Sequence, residues 1–170
     1  MKSLLIPRGL VYAKLIRNHR LIKDILFHNE IVNEGKNLIL NIMFHGIAAV
    51  HPWYVGLIDT DSYTGISLSD TMSSHVGWIE SDDYDEGTRA EYEEDAASNQ
   101  TIWNPISAFA IFTINATKTL KGIFVTSDDA KNGSSGYLWS TALFEDSNIG
   151  EDWEVEDDDV VQIQYGVHIP

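Results

Sequence analysis

Six histidines, His19, His28, His45, His51, His75 and His168, are the first residues to question as metal ligands or proton carriers. None forms the i, i+4 pair of a helical HExxH zinc site, and His45 and His51 are separated by a glycine at a helix end, so each reads as a surface or loop residue. The chain has no Cys, which excludes a thiol nucleophile, a thiolate metal site and any disulfide. It has no GxSxG elbow, no Walker loop and no glycine fingerprint after a strand. Asp59, Asp61 and Asp70 fall at positions one, three and twelve of a calcium loop. Position five is Tyr63, however, the glycine falls at position seven instead of six, and no helical pattern flanks the loop. Residues 80–95 carry nine acids and one base, Arg89, enough for a glycosidase-type carboxylate pair, yet nothing in the run selects two of them. An exposed, self-repelling face is the simpler expectation. No cofactor and no catalytic residue is expected.

Charge is more informative than any motif. Of 170 residues, the first 40 hold seven of the eleven Lys and Arg against three acids, a local +4, and the other 130 carry −19 of the total −15. Phosphates would be repelled by that body, so nucleic acid is not an expected partner. The cations Lys2, Arg8, Lys14, Arg17, Arg20 and Lys23 are the candidate partner-binding residues. They either contact an acidic partner or decorate a solvated hairpin.

The elements that must position these residues are mostly strands. Five Trp, seven Tyr and six Phe favour an aromatic-rich β fold. Gly9 to Phe27 alternates on either side of an Asn18-His19 turn, a hairpin that makes residues 1–27 a basic N-terminal arm. Between Asn33 and Gly46 the period changes to that of a helix. Leu38, Ile39, Ile42 and Met43 lie on one side, Asn33 is placed to cap, and Gly46 to terminate. Strands are expected at Trp53–Ile58, Val76–Ile79, Gln100–Trp103, Tyr137–Phe144 and Val161–Ile169, the last with one dry and one wet face. Ser107 to Thr126 reads as the hairpin at the centre of the sheet, turning at Asn115 to Lys118; that turn contains a glycosylation sequon, Asn115-Ala116-Thr117. Asn132-Gly133 marks another reversal. No apolar run approaches the ~20 residues of a membrane helix. Pro7, Arg8 and Lys14 interrupt any signal-peptide core, so the N-terminus reads as mature protein with no membrane partner. The expected architecture is one domain, residues 1–170, mainly β: an antiparallel two-sheet β-sandwich with one short α-helix near residues 33–45. Alternation does not separate an ordinary sandwich from jelly-roll connectivity.

The order of HNEIVNEGKNLILNIMFHG, WYVGLIDTD, DTMSSHVGWIESDDYDEGTRAEYEED and AFAIFTINATKTLKGIFVTSDDAKNGSSGYLWSTALF resembles a family of small structural proteins of tailed bacteriophages. The likeness runs from about His28 to the end. It is carried by Asn33, Gly35, Asn37, Trp53 to Leu57, Asp70-Thr71-Met72, His75 to Trp78, Tyr84, Arg89 and the Gly133 to Gly136 turn. Where members carry Pro and Trp after the arginine, this chain has Ala90, Glu91 and Tyr92, and it is more acidic. The resemblance implies a non-enzymatic virion protein, assembled in the host cytoplasm, and within that class a capsid decoration or cement protein. Its partner would be the major capsid protein or another virion protein, bound in many copies, with self-association an open alternative. The basic segment Lys2 to Lys23 would dock, and the acidic stretches Glu80 to Asp95 and Glu151 to Asp159 would face outward. Two other readings stand beside it: a tail or baseplate adaptor, and a glycan-binding module stacking sugars on Trp53, Trp78, Trp103, Trp139 or Trp153.

Overall fold

A computed structural model describes residues 7–146, 149–150 and 152–169. The chain begins with the expected hairpin. Strands β1 (Arg8–Arg17) and β2 (Arg20–Ile31) are joined by Asn18 and His19, whose φ values of 50° and 61° make the two-residue reversal that matches strand twist. Helix α1 (Asn33–Leu40) follows, widens into one π-helical turn over Asn41–His45, and stops at Gly46, left-handed at φ 75°. After it come β3 (Tyr54–Asp59), β4 (Glu80–Ser81), β5 (Ala90–Glu91), β6 (Thr101–Trp103), β7 (Ala110–Thr113), β8 (Lys118–Thr126) and β9 (Leu138–Leu143). A small β10 (Glu145–Asp146) and β11 (Ile149–Gly150) pair, and β12 (Trp153–Val155) and β13 (Val160–His168) end the chain.

The main sheet runs β4-β3-β8-β9-β2-β1-β13-β6, with β5 beside β3, β12 beside β8 and β7 beside β13, and every pairing is antiparallel. The fold is therefore mainly β with one short helix, as the alternation implies. The sheet curls into a half-barrel instead of separating into two hydrogen-bonded layers. The reason lies in β2, which is long enough to pair with β1 and then, through Glu30 and Ile31, with Thr141 and Ser140 of β9. The β1–β2–β13 half and the β3–β8–β9 half thus close over one core. Val11, Ala13, Leu15, Phe27, Phe112 and Ile163 come from the first half; Leu57, Leu120, Ile123 and Val125 come from the second.

Three sequence expectations about individual elements fail. Residues 107–126 do not form a hairpin: β7 pairs with β13 while β8 pairs with β3 and β9. The link between them is held on both sides. Ile114 N donates to Asp159 O and Ile114 O accepts from Asp158 N, while Asn115 N donates to Asp83 O, so the chain crosses from one half to the other there. The Val76–Ile79 strand is absent, because Val76 lies in a turn and is almost fully exposed. Its place is taken by β4. Asn33 does not cap α1 with its side chain; its backbone N–H donates to Leu68 O instead. Glu34 uses the helix start differently, accepting Met72 N at 3.1 Å and Leu138 N at 2.6 Å and so tying two loops to the helix. Gly35, costly in a first turn by propensity, is required because a Cβ there would lie 2.6 Å from Trp139 O.

Of the expected basic segment 1–27, the described residues 8–27 are built into the sheet. β1 lies between β2 and β13, with Val11, Ala13 and Leu15 buried in the core.

The β3–β8 half is covered on its outer side as well. Ile58 and Phe124 point away from the main core into a second cluster with Val32, Leu138 and, from the long loop after β3, Met72 and Trp78. Burying a large apolar side chain fully contributes roughly 1.5–3 kcal/mol, so this loop is packed structure and not a free connection.

Candidate docking surface

The outer face of the other half has no such cover. On β1 even and odd residues divide cleanly: Val11, Ala13 and Leu15 are buried, as is Phe27 opposite Val11 on β2, while Tyr12, Lys14 and Ile16 face out. Cross-strand register extends this face over four strands in three rows. Leu26, Tyr12 and Gln164 form one row, Asp24, Lys14, Gln162 and Ile111 the next, and Leu21, Ile16 and Val160 the third. Leu21 is 55%, Leu26 58% and Ile111 44% exposed. The polar residues between them are mutually engaged. The Tyr12 hydroxyl donates to Asp24 Oδ2 at 2.8 Å, which raises its pKa, and Lys14 Nζ stands 4.7 Å from the Phe109 ring and 5.2 Å from the Tyr12 ring. The β2 bulge leaves Ile22 unpaired and 53% exposed, in a cleft that it lines with Lys23 and Trp153.

Of the six cations singled out in the sequence, the five described ones are dispersed. Lys2 lies outside the described residues. Arg8 is exposed at the start of β1, Lys14 sits in the middle of the outer face, and Arg20 is exposed beside the hairpin turn. Arg17 is occupied: its Nε and Nη2 donate to Asp159 at 2.8 Å each and its Nη1 to Glu156 at 2.7 Å. Burial would raise the Asp159 pKa, but the Arg17 hydrogen bonds outweigh it and hold that carboxyl below the usual range. Lys23 lies on the other side of the strand, 5.9 Å from the Trp153 ring.

The acidic stretches are also less exposed than their composition suggests. Glu80 is buried and forms a forked pair with the fully buried Arg89, Nε to Oε1 at 2.9 Å and Nη2 to Oε2 at 2.7 Å. Asp159 is buried against Arg17, and Glu151 lies outside the described residues. Asp59, Asp61 and Asp70 do not converge: Asp59 pairs with Lys118 at 2.6 Å, while Asp70 accepts from Trp78 Nε1 and Ser67 N. Among the described residues no three His, Cys, Asp or Glu gather as a metal site. Trp78, Trp139 and Trp153 are buried in the cores, which removes them as sugar platforms, and Trp53 and Trp103 are half-buried.

Sequence reasoning missed the apolar outer face, although the signal was present: Leu21 to Phe27 carries apolar residues on both sides of the strand, Leu26 as well as Phe27. No family model matches the chain, and no curated protein is significantly similar to it.

Proposed function

We propose that this chain is a non-catalytic structural protein of a tailed-bacteriophage virion, a decoration protein that docks on the assembled capsid shell through the outer face of β2, β1, β13 and β7. The observation that carries the docking surface is the exposure of Leu21, Leu26 and Ile111 in adjoining rows of one sheet face. The resemblance of residues 28–170 to phage structural proteins supplies the partner class. In this reading the two halves of the curled sheet act as the two layers of a sandwich, one closed by its loop and one offered to the shell.

Size sets the mode of binding. Four strands and three rows give a face about 20 Å by 20 Å, on the order of 400 Å². That is below the ~800 Å² per partner of a standard interface, so a single contact is weak and the repeated shell provides the avidity. Binding only the assembled state then stabilises it by linkage. The net charge of −15 keeps decorated particles apart.

The test is quantitative mass spectrometry of purified virions. The expected copy number is comparable with that of the major capsid protein, and Leu26→Glu with Ile111→Glu lowers occupancy more than tenfold at an unchanged melting temperature. A copy number of a few to a few dozen, or full occupancy by the double variant, would overturn the proposal. Deleting residues 1–27 is not a usable test, because it removes two strands of the core.

A further inference from the structure

Along the flank of α1 that carries Asn33, Asn37 and Asn41 lies a cleft of about 370 Å³. Helical geometry gathers these three side chains: each step of four residues turns about 40°, so they lie within about 80° of one another and climb about 12 Å. All three residues are exposed, and none of their carboxamides hydrogen-bonds to another described residue. The cleft is also lined by Ser69 and Thr71, from the loop after β3, and by Tyr137, which is 40% exposed.

These walls are fixed before anything binds. Glu34, in the first turn of α1, accepts Met72 N and Leu138 N through one carboxylate oxygen, so the helix, the loop and the strand after Tyr137 are joined at a single atom. Tyr137 is held further by its backbone, whose N–H donates to Ser127 Oγ at 2.9 Å and whose carbonyl accepts from Ser127 N at 3.1 Å. The Asn33 N–H is spent on Leu68 O, so the cleft offers side chains and not an open helix end.

The lining selects a class of ligand. A carboxamide carries an acceptor oxygen and a donor nitrogen side by side, so it can accept from one hydroxyl of a pyranose ring and donate to the next. The Tyr137 ring provides an apolar face for the C–H side of such a ring. Glu34 is the only charged residue lining the cleft, so an anionic ligand finds no counter-charge there. A purely apolar ligand would strip the carboxamides of water and leave them unpaired.

We infer that this cleft binds a neutral saccharide, adjacent ring hydroxyls meeting the carboxamides of Asn37 and Asn41 and one ring face lying on Tyr137. Each exposed group trades a bond to water for a bond to sugar, so a single site is weak, with a Kd in the millimolar range. The site uses none of the five tryptophans. The inference does not depend on the virion reading, and its test uses the isolated protein.

Heteronuclear NMR of the isotope-labelled full chain follows its side-chain carboxamide and backbone amide resonances during titration with maltose, cellobiose and di-N-acetylchitobiose, with glucuronate and glycerol as controls. At least one of the three disaccharides gives saturable shifts of the Asn33, Asn37 and Asn41 carboxamides and of the Thr71 and Tyr137 amides. It binds at least tenfold more tightly than glucuronate, and glycerol does not saturate. Asn37→Ala combined with Asn41→Ala, both at exposed helix positions, weakens that binding at least tenfold, and Tyr137→Ala does the same; circular dichroism checks that each variant is folded. The inference is overturned if no disaccharide saturates at tens of millimolar, if glucuronate or glycerol binds as well as the best of them, or if the shifts map elsewhere on the chain. Full affinity in either variant would also overturn it.

Discussion

Arg89→Met is expected to destabilise the fold by about 3–5 kcal/mol, the range for removing one partner of a buried ion pair. The geometry explains why the cost sits at this end of single-residue effects. The Arg89 side chain is wholly inaccessible to solvent and directs two donors at Glu80, at 2.9 and 2.7 Å. It directs two more at the carbonyls of Asp128 and Gly133, at 2.8 and 2.9 Å, and its guanidinium lies 5.1 Å from the Phe124 ring. Methionine fills part of the volume but leaves the Glu80 carboxylate, itself buried, with only the Asn132 N–H at 2.7 Å. The two loops the arginine joins, residues 80–89 and 127–136, lose their only buried ion pair among the described residues and keep the hydrogen bonds of Asn132 and Lys131 to Glu80, Asp82 and Tyr84. Urea unfolding monitored by tryptophan fluorescence measures the loss, and hydrogen exchange shows whether amides of 127–136 lose protection first. Arg89→Lys restores less than half of it, because an ammonium cannot make the fork. In a double-mutant cycle with Glu80→Gln the two losses are strongly non-additive, with a coupling of about 2–3 kcal/mol. An Arg89→Met variant within 1 kcal/mol of the parent, or additive losses, would refute the reasoning that this pair locks the loops.

Gly122→Ala is expected to cost about 1–3 kcal/mol or more, because the added Cβ would lie 2.0 Å from Ala142 O in the paired strand, where backbone cannot give way. Gly87→Ala, with no atom within 4 Å of the new carbon, stays within about 0.5 kcal/mol, and thermal melts compare the two. Alkaline pH provides a second probe. Burial raises the phenol pKa of Tyr84 and Tyr92, and that of Tyr165 to about 12. A group whose pKa is higher folded than unfolded contributes stability that is complete below its unfolded pKa of about 10. That stability is lost as pH rises toward the folded value. Each phenol therefore removes about 1.4 kcal/mol per pH unit in that window, and a midpoint in urea that is flat from pH 10 to 11.5 would contradict this burial.

Much of the fold was legible because the relevant signals are local. The Asn18-His19 reversal, the alternation of Val161, Ile163 and Tyr165, and the helix ending at Gly46 all appear where the residues place them. What was not legible depends on long-range partners. Ala108 to Ile114 looks like a core strand apolar on both faces, but Ile111 faces out because its register partner Gln162 lies on the uncovered face of β13. Composition made residues 80–95 look solvated, whereas Glu80 and Arg89 meet only through tertiary folding and are among the most buried polar groups. The cations of β1 and β2 share a sign and a stretch of sequence, yet alternation and the bulge send Lys14 and Lys23 to opposite sides.

The two halves of the curled sheet differ in what they leave uncovered, and the proposed docking face rests on that difference. On the β3–β8 half the loop carrying Met72 and Trp78 closes the outer surface, and the Glu80–Arg89 fork fastens the neighbouring loops, so binding there would first have to displace packed side chains. On the β1–β2–β13–β7 half the exposed rows lie on regular paired strands whose inner faces are already committed to the core. A partner meeting Leu21, Leu26 and Ile111 buries apolar surface with little reordering of backbone, and so retains most of that gain as affinity.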